Sequence, residues 1–364
     1  MAKPTVIDLF SGCGGLSLGF QQAGYEVLLG VDHDQAALNT YQRNFPKAKA
    51  ANLDLSQKGI AAKIRELTGR DSVDAIVAGP PCQGFSLTGP RNFDDKRNKL
   101  YLAVLALLAE MKPKCALIEN VPGMLRLYDG AIHREIVRRI EAAGYRVAEP
   151  QILCAADYGV PQMRRRAFIV AVRRDYGEFS FPEPTNLPAE YVSCGDAIGD
   201  LPSLARDLGS ELSDYERAPM TPYQRLMRAG SRKLWNHTGT KHTDLVVDVI
   251  SQVPEGGDYR DLPPGVGTSR RFNEAWTRYH RKKPSHTIDT GHRNHFHYKY
   301  NRVPTVRENA RLQSFPDKFI FTGTKTQQNR QVGNAVPPLL AEALARQLLA
   351  QLSPLKRECE AIAA

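Results

Sequence analysis

Five short runs of near-continuous apolar residues, each followed by a stretch of different texture, constrain this chain more than any other feature. The runs are TVIDLF (5–10), EVLLGVD (26–32), DAIVAG (74–79), CALIENV (115–121) and RRAFIVAV (165–172). Strands apolar on both faces must be covered on both faces. Amphipathic stretches at 35–44, 99–112 and 132–143 supply that cover, and Gly144 stands where the last of them should end. Strand and helix in alternation predict an α/β chain with a doubly wound parallel sheet.

From about Pro182 the texture changes. Prolines at 182, 184, 188, 202, 219 and 222 and glycines at 256, 257, 265 and 267 break up any period. Periodicity returns with VRENARLQSF (306–315) and a strongly apolar helix over 338–352, which is expected to rejoin the sheet. With 364 residues, 42% of them apolar, the chain has enough material for two domains. The expected division is 1–182 plus 304–364 for the sheet domain, with 183–303 as a second, smaller, loop-rich one.

Other classes are excluded by what the sequence lacks. No run approaches the 18 uncharged apolar residues a membrane span would need, and no secretory leader pattern is visible, so a cytoplasmic location is expected. Six cysteines at 13, 82, 115, 154, 194 and 359 form no CxxC and keep no regular spacing, which argues against a disulfide framework or structural zinc. Lys and Arg outnumber Asp and Glu by 49 to 39, and much of the surplus is local: residues 225–302 hold 15 basic and 7 acidic side chains. Such a concentration fits a face built to meet a polyanion.

The chemistry-bearing residues gather at the ends of the strands, where open α/β sheets bind ligands. The first run enters FSGCGG (10–15), a glycine-rich turn opening a helix, and the second ends in Asp32, placed for ribose hydroxyls. Ser17 stands where a dinucleotide fingerprint needs its third glycine, so the pair fits an adenosine moiety without a pyrophosphate. The third run ends in GPPCQGFS (79–86), holding Cys82 on a stiff Pro-Pro platform outside any strand. A structural cysteine gains nothing from that setting, whereas a nucleophile does. The fourth run carries Glu119 at its end, either as a solvated carboxylate or as a partly desolvated acid able to donate a proton near neutral pH. In YGVPQMRRR, Gln162, Arg164 and Arg166 alternate and so share one face of an extended segment; they could hold a phosphate or a carbonyl, or merely blunt an edge strand. His292, His295 and His297 lack the cysteines or paired carboxylates a metal site would add, so no metal is expected.

Taken in order, FSGCGG, Val31-Asp32, Asp54-Leu55, GPPCQGFS, Glu119-Asn120-Val121, Gln162-x-Arg164-x-Arg166, RENARLQSFPD (307–317) and QVGNAVPP (331–338) make the chain resemble the bacterial cytosine-C5 DNA methyltransferases of restriction-modification systems. The resemblance implies a Rossmann-like S-adenosylmethionine-dependent catalytic domain, with 183–303 as target recognition domain. It implies Cys82, Glu119, Arg164 and Arg166 as catalytic residues. It implies a cofactor pocket of Phe10, Gly12, Gly14, Asp32, His33, Asp54, Leu55, Pro81, Leu100 and Asn334, yielding S-adenosylhomocysteine as product. It implies DNA contacts from Gln83, Ser86, Arg97, Gln162 and Thr287, with Gln162 also bracing its loop. The expected partner is double-stranded DNA, met by a monomer, with a cognate restriction endonuclease acting separately. Two positions depart from the family pattern: Asp32 replaces the usual glutamate, and His33 stands where a larger apolar or aromatic residue often packs on adenine. Three other readings remain open: a tRNA cytosine methyltransferase of the same fold, an NAD-dependent oxidoreductase, and an inactive DNA-binding relative.

Overall fold

The computed structural model describes residues 2–81, 99–205, 207–267, 276–291 and 294–352. In chain order these form β1 (Thr5–Leu9), α1 (Gly15–Gln22), β2 (Glu26–Asp32), α2 (Gln35–Asn44), β3 (Lys49–Asn52), α3 (Ile60–Thr68), β4 (Ala75–Ala78), α4 (Lys99–Met111), β5 (Cys115–Asn120), α5 (Ala131–Ala142), β6 (Tyr145–Val147), β7 (Gln151–Cys154) and β8 (Arg165–Arg173). The following region contributes only short pieces: α6 (Cys194–Ile198), β9 (Leu212–Ser213), α7 (Pro222–Arg228), β10 (Leu234–Trp235), α8 (Asp244–Gln252), β11 (Thr277–Arg278) and β12 (His295–Phe296). Three helices follow: α9 (Val306–Leu312), α10 (Lys325–Asn334) and α11 (Pro338–Gln351).

The first eight strands make one sheet in the order β3-β2-β1-β4-β5-β8-β6, with β7 also paired to β8. From β3 to β5 every pairing is parallel. β8 corrects the expectation of a wholly parallel sheet, because it runs antiparallel to β5, β6 and β7. The reason is connection length: only residues 155–164 separate β7 from β8. A parallel return needs a crossover of roughly a dozen residues or more, so so short a link must fold back.

Alternate strand residues feed two cores, one on each face. Val6, Val77, Leu117 and Phe168 belong to one, with Leu340, Leu344 and Leu348 of α11. Ile7, Ile76 and Ile118 belong to the other, with Ile64 of α3, Leu107 and Leu108 of α4 and Ile136 of α5. This two-sided burial is why the strands read as unbroken apolar runs. The C-terminal helix does rejoin the sheet: a Cβ added to Gly19 of α1 would come within 2.4 Å of the Ala341 Cβ of α11.

Residues 194–234 share the first core through Cys194, Ala197, Ile198, Leu201, Tyr223 and Met227. A separate small core joins Val249, Ile250, Val253, Trp276, Phe296 and Val303. The polar residues of RENARLQSFPD do the fastening. Arg302 meets Glu308 through two 2.7 Å bonds, and Arg311 reaches Asp317 (2.7 Å) and Asp200 (2.5 Å), all in the interior. Helix α9 stops at Leu312, short of the expected 315, because Ser314 takes a left-handed φ of 65°.

Candidate active site

The turn after β1 leaves the strand at Phe10 (φ 60°) and passes Gly12 (φ 52°) and Gly14 (φ 102°) before entering α1. Asp32, at the end of β2, holds this turn in place. Its Oδ2 accepts the Gly12 amide at 2.8 Å, and its Oδ1 accepts the amides of His33 (2.7 Å) and Asp34 (2.9 Å). A Cβ at Gly12 would meet nothing within 4 Å, so the backbone there is bare. Gly14 serves differently: its Cβ position is 2.4 Å from the Phe45 ring, so it lets α1 pack close rather than lining the opening.

A cleft of about 700 Å³ opens along the carboxyl ends of the parallel strands. It gathers Phe10, Gly12, Asp32, His33, Asp54, Leu55, Pro81, Leu100 and Asn334 from the expected cofactor set, together with Glu119, Arg164 and Arg166. His33 is largely exposed, its Nδ1 3.3 Å from the Asp32 carboxylate. A bare glycine backbone, a carboxylate with an oxygen still able to accept a hydroxyl, and apolar flanks at Phe10, Leu55 and Leu100 suit the adenosyl half of S-adenosylmethionine. Ser11, Asn52 and Arg330 line the same cleft without having been anticipated. Asn52 ends β3 next to the expected Asp54 and was within reach of the strand-end argument; Arg330 carried no signal beyond its charge.

At the other end of the cleft, Glu119 Oε1 lies 3.0 Å from Arg166 Nε, both side chains mostly buried. Burial raises the Glu119 carboxyl above its ordinary range, while the charges of Arg166 and Arg164 pull against it. Of the two sequence alternatives, this burial fits the desolvated acid rather than the solvated strand end. Arg164 is fully interior. Its guanidinium donates to the carbonyls of Ile288 (3.3 Å) and Gly333 (2.9 Å), and its Nε has no partner among the described residues. Burial pushes this guanidinium's pKa down, though not far enough to neutralise it near pH 7.

Gln162 is fully buried, donating to Leu312 O (3.2 Å) and Gln313 Oε1 (2.5 Å) and accepting from Ile288 N (3.1 Å). This corrects the expectation of a DNA contact there: the side chain braces its loop and has no surface to offer. Thr287 is exposed beside it, its Oγ1 3.3 Å from Met163 O. Cys82, Gln83, Ser86, Arg97 and His292 lie outside the described residues. His295 pairs with Thr277 Oγ1 (2.7 Å), and His297 Nδ1 accepts two backbone amides, burial pushing that ring down to about 3. Among the described residues no three His, Cys, Asp or Glu side chains group as a metal site.

Two positions were underrated by the sequence reading. Asn120 entered only as part of a motif, yet its buried amide donates to Pro80 O (2.9 Å) and to the hydroxyl of Tyr101 (2.6 Å). Tyr101 carried no signal beyond its helical period.

Comparisons with known proteins point to one family. The family model described as C-5 cytosine-specific DNA methylase matches residues 4–350. The chain is 40% identical over 349 residues, covering 95% of it and 86% of the relative, to the type II methyltransferase M1.HphI of Haemophilus parahaemolyticus. It is 36% identical over 370 residues, covering 94% of it and 88% of the relative, to the type II methyltransferase M.DdeI of Desulfomicrobium norvegicum. Among solved structures, one described as a DNA modification methyltransferase encoded within an Escherichia coli prophage superposes with a TM-score of 0.81 at 30% identity, over 96% of this chain and 99% of that one. Spodoptera frugiperda DNMT2 shares the fold, with a TM-score of 0.60 at 17% identity over 95% of this chain and all of that one.

Proposed function

Because the chain belongs to the C-5 cytosine-specific DNA methylase family, we propose that it methylates carbon 5 of a cytosine flipped out of double-stranded DNA, with Cys82 as covalent nucleophile. The observation that carries this reading is the convergence, on one cleft, of the Gly12–Asp32 turn, the Pro80–Pro81 stem that leads into Cys82, and the buried Glu119–Arg166 pair. The sheet domain (1–182 plus 304–364) does the chemistry, and 183–303 reads the target. The setting is restriction-modification, the enzyme working as a monomer apart from its endonuclease.

Carbon 6 of cytosine is inaccessible within a stacked duplex, so the base must leave the helix. The Cys82 thiolate adds to carbon 6 while the Glu119 carboxyl, kept protonated to higher pH by burial, shares its proton with ring nitrogen 3. Electron density then reaches carbon 5. S-adenosylmethionine, when bound, supplies an electrophilic methyl group. Carbon 5 would take that group as its bond to the donor sulfur breaks, leaving S-adenosylhomocysteine; a base would then remove the carbon 5 proton, the 5,6 double bond re-form with expulsion of Cys82, and nitrogen 3 return its proton to Glu119. Arg166 holds Glu119 and meets the base's carbonyl, while buried Arg164 steadies the wall behind it. Asp32 and His33 would hold the adenosine, with Asn334 and Leu100 lining the same cleft.

The test uses duplex DNA containing 5-fluorocytosine, whose fluorine blocks the final elimination. The wild-type protein should form a denaturant-resistant adduct, and Cys82→Ser should form none while still binding cofactor. Methyl transfer by Cys82→Ser within about tenfold of wild type would sink the covalent mechanism. Transfer to tRNA in preference to DNA would move the enzyme to another substrate class.

A further inference from the structure

Among the described residues, the stretch after β4 ends at Pro81, one residue before Cys82, and the chain is next described at Lys99, the first residue of α4. Pro80 and Tyr101 stand on either side of that interval. Both are bonded to one side chain. Asn120, at the last position of β5, is buried, and its amide uses one N–H on Pro80 O (2.9 Å) and the other on Tyr101 Oη (2.6 Å). The amide cannot be turned round, because its Oδ1 accepts the Val121 amide at 2.8 Å, an interaction only oxygen can make. Tyr101, in the first turn of α4, is itself 1% exposed and packed in the core.

We propose that the Tyr101 hydroxyl is a positioning element of the reaction: through Asn120 it fixes the Pro80–Pro81 stem, which immediately precedes Cys82 in the chain, relative to Glu119. The inference rests on the reading of Cys82 as nucleophile. Three features carry it. Asn120 is the residue after Glu119, so the clamp and the acid share one strand end. Leu100, next to Tyr101, lines the cleft, so the same turn of α4 also borders that opening. The clamp is made wholly of buried groups, which hold their geometry more tightly than exposed ones. Removing the hydroxyl frees one Asn120 hydrogen and lets the stem drift, and drift of about an ångström at a reacting atom costs on the order of 10²-fold in rate.

Tyr101→Phe is the test, since it keeps the ring and deletes only the hydroxyl. Tyr145→Phe is its control: Tyr145 is equally buried and its hydroxyl bonds the far end of α4, to Leu108 O (3.3 Å) and Pro113 O (3.0 Å). Full-length wild type and both variants are mixed with 5-fluorocytosine duplex and S-adenosylmethionine, and the single-turnover rate of adduct formation is read alongside the melting temperature and S-adenosylhomocysteine affinity by calorimetry. Tyr101→Phe should trap at least about tenfold more slowly with cofactor affinity within about twofold of wild type. Tyr145→Phe should trap at the wild-type rate although its melting temperature falls. Equal trapping by Tyr101→Phe and wild type, or equal slowing in both variants, overturns the positioning role alone. Failure of the wild type to trap overturns the covalent reading, and the inference with it.

Discussion

Asp8 sits within β1 with no exposed surface, beneath the glycine turn that lines the cleft. Its Oδ2 accepts the Ser17 amide (3.1 Å) and hydroxyl (2.7 Å), Ser17 in turn pairs with the Tyr41 hydroxyl (2.8 Å), and Oδ1 has no partner among the described residues. Burial lifts this carboxyl to about 7, against the hydrogen bonds from Ser17. Between about pH 4 and 7 the folded chain therefore keeps a proton that the unfolded chain has lost, and stability falls as pH rises. The slope reaches on the order of 1.4 kcal/mol per pH unit. Asp8→Asn has no such proton to lose. Thermal melts at a series of pH values should show the wild type losing ground to Asp8→Asn from pH 4 to 7 and running parallel to it above; parallel curves throughout would refute the assignment. Nothing in the sequence pointed to Asp8. A carboxylate inside TVIDLF reads as an interruption of the strand, and only the fold shows Ser17 and Tyr41 meeting it. Asp32 and Glu119 were legible because strand ends in this topology have a known place.

Among the elements, α9 is the one whose burial was least expected. Its sequence has the period of a half-exposed helix, yet all seven of its residues are buried. Arg307, Glu308 and Arg311 owe their place to partners on other segments: Trp235, Arg302 and Asp200. Periodicity cannot register such pairings, which is why the parallel sheet was legible and the seam joining 194–236 to it was not. The reversed strand β8 escaped for a related reason: its apolar run specifies two covered faces but says nothing of direction. Burial alone would raise the Glu308 carboxyl, but Arg302 outweighs it and holds the group well below the usual carboxylate range. Its contribution is present above about pH 4.5 and lost as acid protonates it. Glu308→Ala strands the Arg302 guanidinium in the interior and should cost about 3–5 kcal/mol. Chemical denaturation at neutral pH measures it, and a loss under about 1 kcal/mol would show the pair to be dispensable.

For the molecule as a whole, the charge surplus and the cleft are separable. Arg281 spends its charge on Glu255 (2.8 Å), but Lys282 and Lys283 are exposed and carry no ion pair among the described residues. Replacing both lysines by alanine should weaken binding to every duplex and lower the salt dependence by roughly two phosphate equivalents, about 1.8 in log–log slope. The methylated sequence should stay as it was. Binding isotherms over a salt series, with sequencing of the modified sites, report both; a changed target would mean that these lysines read bases.

The cleft is walled by Phe10 and Gly12 on one side and by Arg330, Gly333 and Asn334 on another, positions more than three hundred residues apart in the chain. Synthesis delivers these walls at opposite ends of the time a ribosome spends on the message. When β1 and its glycine turn emerge, nothing yet exists to hold α1 from the far side, and Gly15 and Gly19 wait for Val336 and Ala341. A growing chain can thus assemble most of its sheet before the cleft has its second wall. Chains truncated before α10 should therefore lack methyl transfer, which a transfer assay on nested C-terminal truncations would check.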